Sequence, residues 1–163
     1  MKEAPVVQIY TDGACRGNPG PGGYGVVLKY RDVAKELSGG FAWTTNNRME
    51  LMAVIKGLEA LTRPCRVILY SDSQYVIEAI RRGWVEKWRA NEWRRANQGA
   101  AKNADLWERL LSLATKHKIT WVWVKGHSTN KYNLRCDELA AAASKKHPLP
   151  VDEGYRGGEK GDR

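Results

Sequence analysis

Runs of β-branched and aromatic residues, separated by turn residues, occur at five places along the chain. Such runs are typical of strands because their side chains pack well on a pleated surface. Three of them follow one another with short links and predict an antiparallel meander: VVQIYTD (6–12), YGVVLKYR (24–31) and AKELSGGFAW (34–43). Two later runs, RVILYSD (66–72) and ITWVWV (119–124), predict two further strands.

The segments between and after these strands carry apolar residues at helical spacing. Asn46-Asn47 opens the first helix, and Pro64 closes its segment. The apolar residues of this helix recur every three or four positions on one face: Leu51, Val54, Ile55, Leu58 and Leu61. Four more helices are predicted over 73–83, 84–95, 104–118 and 133–146. Asn103 is expected to cap the third of these four.

The order of elements is therefore β-β-β-α-β-α-α-α-β-α, which predicts an α/β fold. Three meander strands and two strands reached through helices form a mixed five-stranded sheet, with the first three strands antiparallel and helices packed on the sheet. One domain is expected over 1–147, because a chain of this length forms a single core. The stretch 148–163 is rich in proline, glycine and charge, lacks periodicity and is expected to be a disordered tail.

The link between the first two strands, TDGACRGNPGPGGYG (11–25), has the spacing Gly-x-Gly-x-x-Gly over 20–25. That spacing occurs in dinucleotide-binding loops, but there a helix must follow, and here the chain continues as a strand. A P-loop needs Lys-Ser or Lys-Thr after its last glycine, and Gly23-Tyr24 stands there instead. The stretch is interpreted as a turn between strands, which leaves Asp12 without an explanation.

The net charge of the chain indicates the kind of partner that it binds. The net charge of +9 and the pI near 9.6 favour a polyanion, with nucleic acid ahead of an acidic membrane surface. No apolar run approaches the roughly 20 residues that a membrane span needs. The N-terminal MKEAPVVQIY lacks the apolar core of a signal peptide, so a cytoplasmic protein with no membrane partner is expected. The three scattered cysteines argue against structural zinc and against a disulfide framework.

Four acidic residues have ordinary structural interpretations when each is taken alone. Asp12 and Asp72 end apolar strands, where a turn residue and a helix N-cap are common. Glu50 follows Asn47 at the spacing of a capping box. Asp137 falls within a helix, where an exposed acid is the default. Spacing alone does not bring these four acids together.

A shared role for these acids is nevertheless possible. Ligands collect beyond the carboxyl ends of strands in sheets with crossover helices. Several carboxylates and few cysteines suit a hard divalent cation such as Mg²⁺. A basic protein that gathers carboxylates fits a phosphodiester nuclease, whose positive surface holds the polyanion. His127 follows Lys125-Gly126 in a loop, where a histidine is more often a surface residue than a catalyst.

Five motifs occur in the order and spacing of one family: TDGACRGNPGPGGYG, TTNNRMELMA, SDSQYV, NADLWERL and WVKGH…NLRCDELA. Together they resemble type 1 ribonuclease H, of the bacterial kind with a basic protrusion. The resemblance runs from about residue 6 to 147. Each motif is weak alone, and the whole set in order is specific. The glycine-rich stretch is then a hairpin that carries the first active-site acid.

The resemblance implies a metal-dependent active site. Its implied metal ligands and catalytic acids are Asp12, Glu50, Asp72 and Asp137, and His127 is the implied mobile catalytic histidine. Two Mg²⁺ ions, with Mn²⁺ as a substitute, are expected to support hydrolysis of the RNA strand of RNA/DNA hybrids. The expected products carry 5′-phosphate and 3′-hydroxyl ends. The residues expected along the RNA strand are Gly13, Asn18, Asn47 and Gln74.

The resemblance also implies separate contacts to the DNA strand. Thr45, with Asn18 nearby, resembles the family's pocket for a DNA phosphate. Basic and aromatic residues interleave over about 81–100, in the place of the family's basic protrusion. The residues expected to bind the DNA strand there are Trp84, Arg81, Arg82, Lys87 and Arg89. The alternative for Trp88 and Trp93 is that they fill the core beneath a solvated helix.

Two departures from the family pattern leave details open. Ala14 stands where serine is common, and Leu134 stands where glutamate often follows the asparagine. The second departure puts the tuning of the His127 loop in doubt. Two other functions stay as alternatives: another nuclease of the same fold, and a non-catalytic nucleic-acid-binding protein that uses the basic face alone. A monomer is expected.

Overall fold

Five strands form one mixed sheet in the computed structural model, which describes residues 5–95, 99–100, 102–126 and 130–155. The described residues form seven strands in all, and the two short ones, β5 and β6, pair apart from this sheet: β1 (Val6–Cys15), β2 (Gly20–Tyr30), β3 (Val33–Thr44), β4 (Arg66–Ser71), β5 (Arg94–Arg95), β6 (Gly99–Ala100) and β7 (Lys118–Trp123). The sheet has the order β3-β2-β1-β4-β7. Strands β1, β2 and β3 pair antiparallel, whereas β4 lies parallel to both β1 and β7. The predicted α/β fold with a five-stranded sheet is confirmed.

Helices cover both faces of this sheet. They are α1 (Asn46–Glu59), α2 (Gln74–Arg81), α3 (Trp84–Ala90), α4 (Ala104–Ala114) and α5 (Lys131–Ser144). Alternation along β1 places Val7 and Ile9 in the large core with α1, whereas Tyr10 packs with Cys136 of α5. α1 and α5 therefore lie on opposite faces. Within the described ranges, no helix is long and apolar enough to cross a membrane.

Glycines of β2 allow α5 to lie close to the sheet. A side chain at Gly23 would overlap the backbone of Ala140, and one at Gly25 would overlap the carbonyl of Cys136. The glycine-rich stretch is therefore more than a turn. It contains the ends of both hairpin strands and the surface on which a helix packs.

One predicted helix is too long. The helix expected over 84–95 ends at Ala90, because Glu92 and Trp93 adopt left-handed φ angles of 55° and 62° that a helix does not accommodate. The chain then forms the short antiparallel pair β5–β6. The basic protrusion is thus a helix followed by a two-stranded ribbon.

The segment after α5 docks on β3, although a disordered tail was expected over 148–163. The backbone N–H of Ala42 donates to the carbonyl of Pro150 at 2.8 Å. Asp152 is buried and accepts a hydrogen bond from the Thr44 hydroxyl at 2.6 Å. Composition misleads here because a few specific polar contacts hold a segment that has no periodic pattern. The tail from 156 onward lies outside the described residues.

Candidate active site

Two acidic residues lie just past the point where the parallel strands β1 and β4 stop pairing with each other. β1 and β4 are paired up to Tyr10 and Tyr70, and Asp12 and Asp72 follow these positions. The Thr11 hydroxyl donates to the Tyr70 carbonyl at 2.8 Å and ties the two strands together just before the acids. β4 ends at Ser71, whereas β1 continues to Cys15 beside β2, and both carboxylates lie next to the place where the two strands part.

Glu50 of α1 completes a cluster of three acids. One carboxylate oxygen from each of Asp12, Glu50 and Asp72 lies within 4.8 Å of the other two. Glu50 is buried and accepts the backbone N–H of Gly13 at 2.6 Å. The same N–H contacts Asp12 Oδ1 at 2.9 Å. A side chain at Gly13 would overlap the backbone of Met49 and Glu50, so this glycine allows α1 to approach β1.

Other residues fill the capping roles that spacing had suggested for two of these acids. The hydroxyl of Thr45 caps α1, so Glu50 is not the capping-box partner of Asn47. The hydroxyl of Ser73 caps α2, so Asp72 is not its N-cap. The carboxylates of both acids are therefore left for the cluster.

Burial and mutual repulsion favour protons on this cluster. Burial, followed by the charge of Asp72, raises the pKa of Asp12 to about 7. Burial, followed by the charge of Asp12, raises the pKa of Glu50 well above its ordinary value. Burial also raises the pKa of Asp72. Such shifts are common where a cation or a reacting group completes a site.

The donor set fits a hard divalent cation. Carboxylate oxygens are the ligands that Mg²⁺ prefers in proteins. Glu50 Oε2 is buried and has no hydrogen-bond partner among the residues that the structure describes. A bound cation would both occupy that oxygen and cancel the repulsion between the acids.

Asp137 lies apart from the three-acid cluster. It is exposed on α5, and its oxygens do not belong to the group within 4.8 Å that the described residues form. It does line the same open cavity of about 130 Å³ as Asp12 and Asp72. Its charge also contributes to the raised pKa of Asp12, after burial and Asp72. His127 lies outside the described residues.

Three of the four predicted RNA contacts line one depression together with the acids. Gly13, Asn47 and Gln74 come from β1, α1 and α2, and all border the floor formed by the cluster. An extended strand lying in this depression would pass directly over the carboxylates.

The remaining predicted contacts meet at the β3–α1 junction, which we define as residues 44–47. Asn18 Oδ1 accepts the backbone N–H of Asn46 at 3.1 Å, so the β1–β2 hairpin is attached to the start of α1. Thr45 is buried as the cap of this helix. The predicted pocket for a DNA phosphate is therefore built around a helix N-terminus, where backbone N–H groups favour anions.

The protrusion exposes one tryptophan and packs two partly buried ones against the core. Trp84 is 40% exposed, and the Arg82 guanidinium lies 5.4 Å from its ring centroid. Trp88 packs edge-on against Trp107, and Trp93 also packs on the core. The alternative interpretation thus holds for Trp88 and Trp93, whereas Trp84 is available to a ligand.

The other predicted cations of the protrusion differ in their surroundings. Arg81 donates to the carbonyl of Trp121 at 2.7 Å, and Arg89 forms an exposed ion pair with Glu108 at 3.0 Å. Lys87 is exposed on α3. Each of these side chains lies at the surface, where it could contact a phosphate without being desolvated first.

Sequence reasoning missed two residues near the site. Lys125 lines the cavity beside Asp12, and its position directly after the last strand was a signal that could have found it. Arg48 is buried, and no local signal pointed to it. Its partners Asp105 and Asp152 are 57 and 104 residues away in sequence.

Comparisons with known proteins agree with this fold. The family model for RNase H matches residues 4–145. The chain is 60% identical over 149 residues to the ribonuclease H of Syntrophus aciditrophicus (strain SB), covering 91% of this chain and 86% of that protein. It is 57% identical over 156 residues to the ribonuclease H of Rippkaea orientalis (strain PCC 8801 / RF-1), covering 95% of this chain and 96% of that protein.

Solved structures give the same result. LC9-RNase H1, a type 1 RNase H with the type 2 active-site motif, is 32% identical and matches with a TM-score of 0.79 over 88% of this chain and 74% of that chain. LC11-RNase H1, solved in complex with an RNA/DNA hybrid, is 24% identical and shares the fold with a TM-score of 0.66 over 84% of this chain and 95% of that chain. The chain belongs to the ribonuclease H family, and the resemblance to type 1 ribonuclease H is confirmed.

Proposed function

We propose that this chain is an endoribonuclease that hydrolyses the RNA strand of RNA/DNA hybrids and leaves 5′-phosphate and 3′-hydroxyl ends. The observation that carries the proposal is the three-acid cluster, in which buried carboxylates with raised pKa values meet on a protein of net charge +9. A protein of that charge attracts a polyanion, and a cation-binding centre gives the polyanion a place to react. The names of the curated relatives support the reaction.

Mg²⁺ is the proposed ion, with Mn²⁺ as a substitute. Asp12, Glu50 and Asp72 would hold it, and Asp137 would join them from α5 when a second ion and the substrate are bound. Bound ions would supply the activation of water and the stabilisation of the leaving 3′ oxygen.

The protein's own groups prepare this centre. The Gly13 N–H holds Asp12 and Glu50 in fixed positions, at 2.9 Å and 2.6 Å. Rigid placement of this kind lowers the entropic cost of assembling the reacting groups. We propose His127 as the residue that helps a proton or the product leave, so its loss should reduce the rate less than loss of Asp12.

Selection of a hybrid requires a separate contact to each strand. On the RNA side, Gly13 leaves room for the backbone, while Asn18, Asn47 and Gln74 can hydrogen-bond 2′-hydroxyls and base edges. These amides surround or adjoin the depression that contains the acids. The 2′-hydroxyl then distinguishes the cleaved strand from DNA.

On the DNA side, we propose that Thr45 and Asn18 form a phosphate pocket and that the protrusion grips the strand further along. The proposed contacts in the protrusion are Trp84, Arg81, Arg82, Lys87 and Arg89. Phosphate contacts of this type add affinity that salt weakens and contribute little sequence preference.

The proposal includes one catalytic domain, predicted over 1–147 and extended by the docked segment up to Tyr155, with the protrusion at about 81–100, that acts as a monomer in the cytoplasm. The curated relatives are bacterial. In bacteria the nucleic acids and the enzymes that act on them share this compartment.

Cleavage of an end-labelled RNA/DNA hybrid tests the proposal. The hybrid is incubated with Mg²⁺ or with chelator, beside duplex RNA and duplex DNA of the same sequence, and Asp12→Asn is the matched control. We expect Mg²⁺-dependent cutting of the hybrid's RNA strand alone, with loss of cutting in the variant. Tight binding of the hybrid without cutting would instead favour a non-catalytic nucleic-acid-binding protein.

A further inference from the structure

Arg48 lies inside the protein between two carboxylates. It is 2% exposed, and its guanidinium forms bidentate contacts with both acids. Asp105 accepts from Nη1 and Nη2 at 2.9 and 2.7 Å. Asp152 accepts from Nε and Nη2 at 2.7 and 3.0 Å. Four hydrogen bonds from the rigid guanidinium thus join α1, α4 and the segment after α5.

Asp152 is also bonded to the end of β3. Its Oδ2 accepts the Thr44 hydroxyl at 2.6 Å, and the side chain is 4% exposed. Neighbouring tail residues strengthen the attachment, since the Pro150 carbonyl accepts from Ala42 at 2.8 Å. A side chain at Gly154 would overlap both Asp105 and Arg48, so the tail backbone lies directly over the ion pair.

These contacts connect the two sides of the β3–α1 junction within the protein interior. Thr44 is bonded to Asp152 on one side of the junction, and Arg48 is bonded to the same carboxylate on the other. Between them lie the helix cap Thr45 and the residue Asn46, whose N–H Asn18 accepts. The carboxylate of Asp152 therefore links Thr44 to Arg48, the residues on either side of the segment that is proposed to bind the DNA phosphate.

We propose that Asp152 is a positioning residue that fixes the β3–α1 junction in the conformation that binds the hybrid. This inference rests on the proposed function. Asp152 does not touch the substrate; it acts through Thr44 and Arg48. Its removal frees the end of β3 and leaves Arg48 with one of its two carboxylates, so the junction loses its fixed shape. Glu50 stays attached to Gly13, and the acidic cluster keeps its geometry.

The test compares variants of the full chain. Asp152→Ala removes both contacts, Asp152→Asn keeps one carbonyl acceptor, and Thr44→Val removes only the hydroxyl that joins Asp152 to β3. The matched control is Glu59→Ala, which removes the exposed ion pair with Arg109 at the other end of the same helix. The parameters kcat and KM for hybrid cleavage are measured well below the unfolding temperature of every variant.

We expect Asp152→Ala to raise KM about tenfold with kcat changed less than about twofold, the pattern of lost uniform binding. Asp152→Asn and Thr44→Val should give smaller increases, and Glu59→Ala should leave KM unchanged. An Asp152→Ala protein that unfolds more easily but keeps its KM would overturn the proposal, because Asp152 would then be structural alone. Should Asp152→Ala fail to fold, Asp152→Asn and Thr44→Val decide by the same criterion.

A second measurement locates the effect. Hybrids that carry one neutral methylphosphonate at successive positions of the DNA strand are bound to proteins that also carry Asp12→Asn, which prevents cutting. With Asp152 intact, affinity should fall at the phosphate that occupies the junction, and Asp152→Ala should lose this sensitivity. An unchanged profile would show that Asp152 acts elsewhere. Failure of the wild-type protein to cut any hybrid would instead refute the proposed function.

Discussion

Arg48 and Glu50 are two positions apart on α1, and both are buried, yet their surroundings are opposite. Arg48 meets two carboxylates, whereas Glu50 meets two charges of its own sign. Burial alone would lower the pKa of Arg48, but the hydrogen bonds that it donates to its two acids raise it. The charge of the first group is balanced within the fold, whereas a bound cation would be needed to balance the second.

The contrast between Arg48 and Glu50 distinguishes a charge that stabilises the fold from a charge that is suited to binding a cation. A buried charge with matched partners is compensated, and breaking such a group costs stability. A cluster of like charges costs stability as it stands and is retained where a ligand completes it. The same helix thus carries one group that holds the tail and the junction, and one that is prepared for metal.

Glu50→Gln gives the largest effect. The amide oxygen can still accept the Gly13 N–H, but one metal ligand loses its charge, so cleavage should fall about 1,000-fold, or about 4 kcal/mol of barrier. In chelator the variant should be more stable than the wild-type protein, because a like charge has left the cluster. Cleavage rates in Mg²⁺ and urea unfolding in chelator measure the two effects. A less stable variant in chelator would contradict the assignment of Glu50 as a destabilising charge.

Arg48→Ala should act in the opposite way. It leaves Asp152 buried without its cation, which should lower the free energy of unfolding by about 3–5 kcal/mol. Arg109→Ala is the control, since it removes an exposed pair with Glu59 and should cost less than about 1 kcal/mol. Urea unfolding measures both. Equal losses would mean that burial does not distinguish the two ion pairs.

Without metal, the free energy of unfolding should fall as pH rises, because the acidic cluster binds protons more tightly in the folded state. The pKa of Asp12 is about 7 in the folded state against an ordinary 3.8, so the folded state binds the proton more tightly. The resulting stabilisation is complete below pH 3.8 and is lost as pH rises to about 7, by on the order of 4 kcal/mol, because each pKa unit corresponds to about 1.4 kcal/mol.

Asp105 affects the pH dependence of stability in the opposite direction. Its burial alone would raise its pKa, but hydrogen bonds from Arg48 lower it, so its contribution is lost only as pH falls into the acid range. Unfolding midpoints at pH 5 and pH 8, with chelator or with Mg²⁺, distinguish the contribution of the acidic cluster from that of Asp105. Mg²⁺ should stabilise the protein more at pH 8, where fewer protons compete for the acids. Equal stabilisation at both pH values would contradict a cation bound by the cluster.

The sequence predicted the sheet, the helices on it and the family, because periodicity and motif order are local signals. It also placed Asp72 directly after a strand, whereas the strand expected to end at Asp12 continues to Cys15. The β5–β6 ribbon escaped prediction because two-residue strands have no period. Arg48 and Asp152 escaped it because their pairing depends on contacts across 104 residues, and composition suggested disorder where Asp152 is anchored.

The fourth acid provides the smallest and most discriminating prediction. The motifs gave Asp137 the same standing as the other three acids, whereas the structure leaves it exposed on α5 and outside the cluster that the described residues form. Asp137→Asn should therefore reduce cleavage only about tenfold, or about 1.4 kcal/mol of barrier. Stability in chelator should stay nearly unchanged, since an exposed carboxylate contributes little to the repulsion.

The control for Asp137 is its neighbour Glu138, which is 66% exposed and lies 4.0 Å from Arg135. Glu138→Gln changes the same charge on the same helix but faces away from the cavity that Asp137 lines, so it should leave cleavage unchanged. Rates across a range of Mg²⁺ concentrations compare the two variants. A loss in Asp137→Asn as large as that in Glu50→Gln would contradict this smaller role, and it would mean that Asp137 is as important to the bound ions as the buried trio.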